Sequence, residues 1–324
     1  MLIASVAILA GFIILIWSAD IFVSGAASIA ENMGMSPILI GLTIVSLGTS
    51  APEVLVAIIA SLSHAGELAV GNAIGSNIAN TGLVLGITIL MVPLCVLYDC
   101  MKQEMTALIV VTLGVGLLLL DSEISRVDGL LMMGALVVIL FQMVRSQSRD
   151  SIMVEEAEED SIRHMTPLRA WATFAVGLCL LIASSRLLVW GAVDIAEQLG
   201  ISQLVIGLTI VAVGTSLPEL AATVASALRG HTEIALGNII GSNLFNLLGV
   251  MSIPGLIHGQ ILEPVVLTRD YAAMTGFIFI LAFAIQVGRK RKPAADGHFY
   301  LGRSMGTLLV ALYGLYYYWL YVTI

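Results

Sequence analysis

Long apolar runs separated by short polar segments make up almost the whole chain. They lie near residues 3–27, 36–61, 68–94, 104–120 and 127–144, and then near 168–194, 202–227, 234–258, 270–288 and 301–321. Each run approaches the roughly 20 residues with which an α-helix crosses a hydrocarbon core. None shows the ten-residue alternation of a membrane β-strand. The pattern predicts an all-α polytopic membrane protein with ten transmembrane helices. The polar stretch SQSRDSIMVEEAEEDSIRHMTP divides them, giving a first five-helix unit over 1–145, an acidic linker over 146–166 and a second five-helix unit over 167–324.

Comparison of the halves turns this pattern into a repeat. GLTIVSLGTSAPE from Gly41 returns as GLTIVAVGTSLPE from Gly207, an offset of 166. The same offset carries GNAIGSNIAN from Gly71 onto GNIIGSNLFN from Gly237, and SADIFVSGAASIAENMG onto SSRLLVWGAVDIAEQLG. The first apolar run therefore has an internal counterpart and lacks a basic leader, so it reads as part of the fold rather than as a signal peptide. Because each half holds five spans, an odd number, the second must enter the membrane inverted, an arrangement common among secondary transporters.

Charge orients the spans. The chain is 59% hydrophobic and 11% charged, far below the roughly 25% charged residues of a soluble domain. With the N-terminus outside, eleven Lys and Arg fall in inner loops and two, Arg126 and Arg269, in outer ones; Arg186 lies within a span. The positive-inside rule then places both termini outside and the linker in the cytoplasm, and a plasma-membrane location is expected. RKRK at 289–292 reads as a topology and headgroup anchor, and EEAEED at 155–160 as a solvated connector. With net charge −8 and no basic stripe, no nucleic-acid partner is expected. Protein partners are not indicated. The three cysteines have no metal-type spacing and read as apolar fillers.

Against this background the repeated hexapeptides GTSAPE and GTSLPE stand out. A carboxylate at mid-membrane depth costs about 2.5–3.5 kcal/mol on insertion scales, and Pro52 and Pro218 each remove a backbone donor. Such breaks persist only where they are buried in protein or line a cavity. Around Glu53 and Glu219 stand Thr49, Ser50, Thr215 and Ser216, with Ser76, Asn77, Asn80, Ser242, Asn243 and Asn246 on the following spans. Ser76 and Asn80, and likewise Ser242 and Asn246, share a helix face. Hydroxyl, carboxamide, carboxylate and carbonyl oxygens suit hard cations; soft metals would want thiol or imidazole, and the five histidines fall in loops or near span ends. Ser50 is no hydrolase nucleophile, since G-x-S-x-G is absent and no His lies nearby. The chain is not expected to be an enzyme or to hold a cofactor.

The paired G-T-S-x-P-E and G-N-x-x-G-S-N-x-x-N motifs resemble the two α-repeats of the sodium/calcium exchanger group within the Ca²⁺:cation antiporter superfamily, whose bacterial ten-span members are similar along nearly the whole chain. The resemblance implies exchange of Ca²⁺ for Na⁺ by alternating access at a shared midmembrane site, with both ions as substrates and the bilayer as surroundings. It implies cation ligands at Glu53 and Glu219, Thr49 and Thr215, Ser50 and Ser216, Ser76 and Ser242, together with the carbonyls of Ser46 and Ala212. Asn80 and Asn246 complete the ring; some relatives carry an aspartate at the position of Asn246. With Asn at both, two carboxylates balance one Ca²⁺ or two Na⁺. Alternatives are a Ca²⁺/H⁺ antiporter, a K⁺-dependent Na⁺/Ca²⁺ antiporter and a cation channel. Spans 1 and 6 are candidates for the moving elements. Asp20 and Arg186, also 166 apart, suggest a salt bridge.

Overall fold

The computed structural model describes residues 1–150, 165–200, 212–291 and 297–323. Its helices are α1 (Leu2–Met33), α2 (Pro37–Thr49), α3 (Ala51–Leu62), α4 (Gly66–Met91), α5 (Tyr98–Leu118), α6 (Arg126–Asp150), α7 (Pro167–Gln198), α8 (Ala212–Thr215), α9 (Leu217–Leu228), α10 (Thr232–Ile257), α11 (Val266–Gly288) and α12 (Arg303–Thr323). Among the described residues eight helices are long and apolar enough to cross a membrane, and the pair α2 and α3, bent by 45°, makes a ninth. The seventh apolar run lies partly outside the described residues; its remainder, α9, is a shorter apolar helix. Most of the acidic linker, EEAEED included, and Lys292 also lie outside them.

Local chemistry explains where elements start and stop. α1 ends at Gly34, whose φ of 60° is the left-handed C-cap conformation, and Met35 N–H closes the turn on Ala30 O at 2.9 Å. Ser36 caps α2, its hydroxyl accepting Leu39 N–H at 3.3 Å, and Pro37 takes the first helical position, where its missing donor costs nothing.

Among the described residues α1 and α7 are the two longest helices, and they pack against each other. Partners fall along α7 as they rise along α1: Gly11 meets Ser184 and Leu188, Phe22 meets Gly177, and Gly25 meets Phe174. The two therefore run antiparallel. The contacts are reciprocal at the repeat offset, since Gly11 corresponds to Gly177 and Gly25 to Gly191, which lies against Ala4 and Ile8. At Gly25 and Gly177 a Cβ would collide with the facing backbone, so these positions need glycine for close approach. Phe22 and Phe174 stack at 4.7 Å between ring centroids. The pair anchors a smaller apolar cluster that also takes in Ile40 and Val45 of α2, Ala222 of α9 and Ile234 of α10; the larger cluster is built mainly by α4, α5, α6, α10, α11 and α12. Large side chains on the outer face of α1, such as Leu9, Ile13 and Trp17, are exposed, as lipid-facing positions are.

Two features were absent from the pattern of apolar runs. Short antiparallel ribbons join distant loops: β1 (Leu94–Leu97) pairs with β4 (His298–Leu301), and β2 (Glu123–Ile124) pairs with β3 (Gln260–Ile261). Within the helices, π-turns occupy Asn80–Val84 and Asn246–Val250, matching positions of the two halves.

The structure corrects the charge pairing expected within α1 and α7. Asp20 is bound by Arg229, at the end of α9, at 2.5 Å rather than by Arg186.

Candidate functional site: a buried ring of oxygens

Both hexapeptides fold alike. Ser50, at φ −84° and ψ 5°, turns the chain from α2 into α3; Ser216, at φ −89° and ψ 3°, does the same between α8 and α9. Proline follows two residues later, where a helix start tolerates it. Glu53 and Glu219 then fall in the first turn of α3 and α9. Free N–H groups and the positive end of the helix dipole stabilise a carboxylate there. Each break thus supplies the environment that its own glutamate needs.

The breaks meet inside the protein. Glu53 and Glu219 are each 1% exposed, and their carboxylates are close enough to sense each other's charge. A donor crosses between halves: Ser50 Oγ donates to Glu219 Oε1 at 3.4 Å, and Thr49 lies beside this carboxylate. Ser76 lies beside the Glu53 carboxylate. Thr49 Oγ1 lies 3.4 Å from Ser46 O, a carbonyl that also accepts Ser50 N–H.

Other expected residues are buried beside these without such contacts. Ser216, Ser242, Asn80 and Asn246 are all buried. Ser216 Oγ, Ser242 Oγ, Oδ1 and Nδ2 of both Asn80 and Asn246, and one oxygen of each glutamate have no hydrogen-bond partner among the described residues. Buried polar atoms are normally paired, because an unpaired one costs about 1–3 kcal/mol. Unpaired carboxylate, hydroxyl and carboxamide oxygens are of the type that suits a hard cation. Asn80 and Asn246 each open a π-turn, a distortion that recurs at functional sites. Thr215 is half-buried and, with Pro52, borders a cavity of about 330 Å³; Ala212 begins α8 three residues earlier.

The ring has a supporting layer in which the expected neighbours Asn77 and Asn243 are joined by Asn238, Thr81 and Thr223, which the sequence did not single out. Thr49 Oγ1 also lies 3.3 Å from Asn238 Oδ1, and Asn238 Nδ2 donates to Thr223 Oγ1 at 2.9 Å. Asn77 Nδ2 donates to Asn243 O at 3.1 Å, and Asn243 Nδ2 to Thr81 Oγ1 at 2.9 Å. These links tie α4 to α10 and fix the faces that carry Ser76 and Ser242. The G-N opening of GNIIGSNLFN was the available signal for Asn238; Thr81 and Thr223 belong to no repeated motif.

Relatives share this architecture. The family model described as sodium/calcium exchanger protein matches residues 3–145 and 169–322. CaxA of Alkalimonas amylolytica is 43% identical over 296 residues, covering 90% of this chain and 93% of its own. The sodium/calcium exchanger MaX1 of Methanosarcina acetivorans is 32% identical, covering 87% of this chain and 91% of its own. The solved structure of the sodium-calcium exchanger NCX_Mj, soaked with Na⁺ and Ca²⁺, superposes with a TM-score of 0.80 at 30% identity over 96% of both chains. With the buried oxygens and the apolar helices, these matches make the chain a multi-pass membrane protein that belongs to the sodium/calcium exchanger family.

Proposed function

We propose that the protein exchanges Ca²⁺ for Na⁺ by alternating access at the site between Glu53 and Glu219. The observation that carries this reading is the crossed pair of carboxylates. Each comes from one half, Glu219 takes the Ser50 hydroxyl from the other half, and each keeps an oxygen without a donor among the described residues. The ligands are Glu53, Glu219, Thr49, Thr215, Ser50, Ser216, Ser76, Ser242, Asn80 and Asn246, with the carbonyls of Ser46 and Ala212. Two carboxylates in a dry site repel, so an empty site is reluctant to change sides. One Ca²⁺ or two Na⁺ neutralise it. Movement is thereby restricted to loaded states, which is the condition for exchange.

Ten spans in two inverted repeats fit the loop pairing. β1 and β4 require the loop after α4 and the loop before α12 to share one face, and β2 and β3 require the same of the loops after α5 and α10. Ten crossings with both termini outside satisfy both requirements and put the linker in the cytoplasm of a bacterial inner membrane.

The access state follows from an asymmetry. Ala19 and Val23 of α1 are buried in one cluster with Ala222 of α9. At the matching place in the other half, a cavity separates Pro52 and Val56 of α3 from Ser185 and Val189 of α7. This supports a protein open toward the C-terminal end of α3, the outer face. Uptake of ⁴⁵Ca²⁺ into proteoliposomes under imposed Na⁺, H⁺ or K⁺ gradients tests the coupling ion. A Na⁺ gradient alone should drive it; uptake driven only by H⁺, or only with K⁺ present, favours those antiporters instead.

A further inference from the structure

Pro218 has no N–H, so the carbonyl four residues before it, that of Gly214, loses its helical partner. That carbonyl accepts a hydrogen bond from Ser185 Oγ at 2.9 Å, and Ser185 is buried in α7, a different helix. One turn along α7, Val189 lies against the Cα of Gly214. Among the described residues no side-chain hydroxyl caps the matching carbonyl of the first half. Pro52 frees the Gly48 carbonyl in the same way, but the α1 residue matching Ser185 is Ala19, which has no hydroxyl. Gly48 is instead covered by Leu178 and Phe174, again from α7. Neighbouring serines do follow the repeat, for Ser18 bonds Leu15 O and Ser184 bonds Leu181 O within their own helices. Ser185 is therefore an addition to the symmetric pattern, placed on the wall of the cavity that borders Thr215.

We propose that Ser185 is a positioning residue for ion exchange. It holds the Gly214 carbonyl and so fixes the turn that presents Thr215 and the Ala212 carbonyl to the ion. It also ties that turn to α7, so ion binding at the second hexapeptide and the position of α7 depend on each other. The assignment rests on the exchange reading above but makes its own demand: the hydroxyl must act on ion affinity before it acts on maximal rate.

The test uses the full chain with Ser185, Ser185→Ala or Ser185→Thr, each checked for a monodisperse peak. Ca²⁺ binding is titrated calorimetrically in detergent, and ⁴⁵Ca²⁺ exchange is then followed in liposomes. Loss of one hydrogen bond should weaken Ca²⁺ binding about five-fold in Ser185→Ala. Half-saturating Ca²⁺ should rise by the same factor while the maximal rate changes less, and Ser185→Thr should restore both. Ca²⁺ affinity within two-fold of the unaltered protein in Ser185→Ala overturns the assignment. So does a loss confined to maximal rate, or a Thr variant as weak as the Ala variant. If the unaltered protein binds Ca²⁺ but shows no Na⁺-driven flux, the exchange reading falls and the binding titration alone judges Ser185. If it neither binds nor transports Ca²⁺, both fall.

Discussion

The two halves use the same hexapeptide to build the same turn, yet the helices laid over those turns behave differently. In one half α1 rests on α9, with Ala19, Val23 and Ala222 in one cluster and Asp20 bound to Arg229. In the other, α7 stands off α3, and a cavity of about 330 Å³ lies where the matching contact would be. The likeness of the two breaks thus goes with a like set of oxygens, while the covering helices differ, and on the proposed exchange cycle that difference decides which side is open. The cluster that joins α1 to α7 also takes in Ile40 and Val45 of α2, Ala222 of α9 and Ile234 of α10, so the covering helices pack directly onto the elements that carry the two breaks.

The strongest test of the comparison concerns the parts held to be equivalent. Glu53→Gln and Glu219→Gln should each abolish Na⁺-driven Ca²⁺ uptake, by about 10²-fold or more, as expected for loss of a buried charge partner worth about 3–5 kcal/mol. Unequal losses, one severe and one slight, would break the equivalence of the two sites.

Next come the reciprocal glycines. Gly25→Leu and Gly177→Leu both force a side chain into the facing backbone of the α1 and α7 crossing, an overpacking cost of about 1–3 kcal/mol. Both should lower the midpoint of thermal unfolding by similar amounts in detergent. A large shift for one and none for the other would show that the crossing is not symmetric.

A smaller effect is expected at the asymmetric ion pair. Asp20 and Arg229 are 54% and 36% exposed, and pairs so exposed contribute about 0.2–1 kcal/mol. Asp20→Arg should change the exchange rate by no more than about five-fold, and Asp20→Arg with Arg229→Asp should recover it. Asp20→Arg with Arg186→Asp should not; recovery there would restore the pairing suggested by the repeat offset.

That misassigned pair shows where the sequence stops being readable. The offset correctly matched Asp20 with Arg186 as counterparts, but counterparts touch only near a pseudo-two-fold axis. The antiparallel contacts of Phe22 with Gly177 and Gly25 with Phe174 place Asp20 beside residues near 178. Arg186 lies about eight residues further along α7, or roughly 12 Å at helical rise. The apolar runs, by contrast, were legible because a membrane core demands about 20 consecutive apolar residues. The candidate site was legible as a candidate because its glutamates and prolines are costly within an apolar span and occur twice, and the structure buries both glutamates. The π-turns at Asn80 and Asn246 were not, since one extra residue per turn leaves the apolar pattern intact. The ribbons were not, since two to four residues in a loop carry too short an alternation. Thr81 and Thr223 were not, since a single hydroxyl on an apolar helix looks the same whether it bonds its own turn or a neighbour's amide.

The central claim is that ions replace one another between Glu53 and Glu219, and it is met most directly by ⁴⁵Ca²⁺ uptake into liposomes loaded with Na⁺. Uptake that depends on the outward Na⁺ gradient, vanishes without a counter-ion and is lost in both glutamine variants is the predicted result. Uptake that continues without any counter-ion, or at normal rate in Glu53→Gln, would contradict the account.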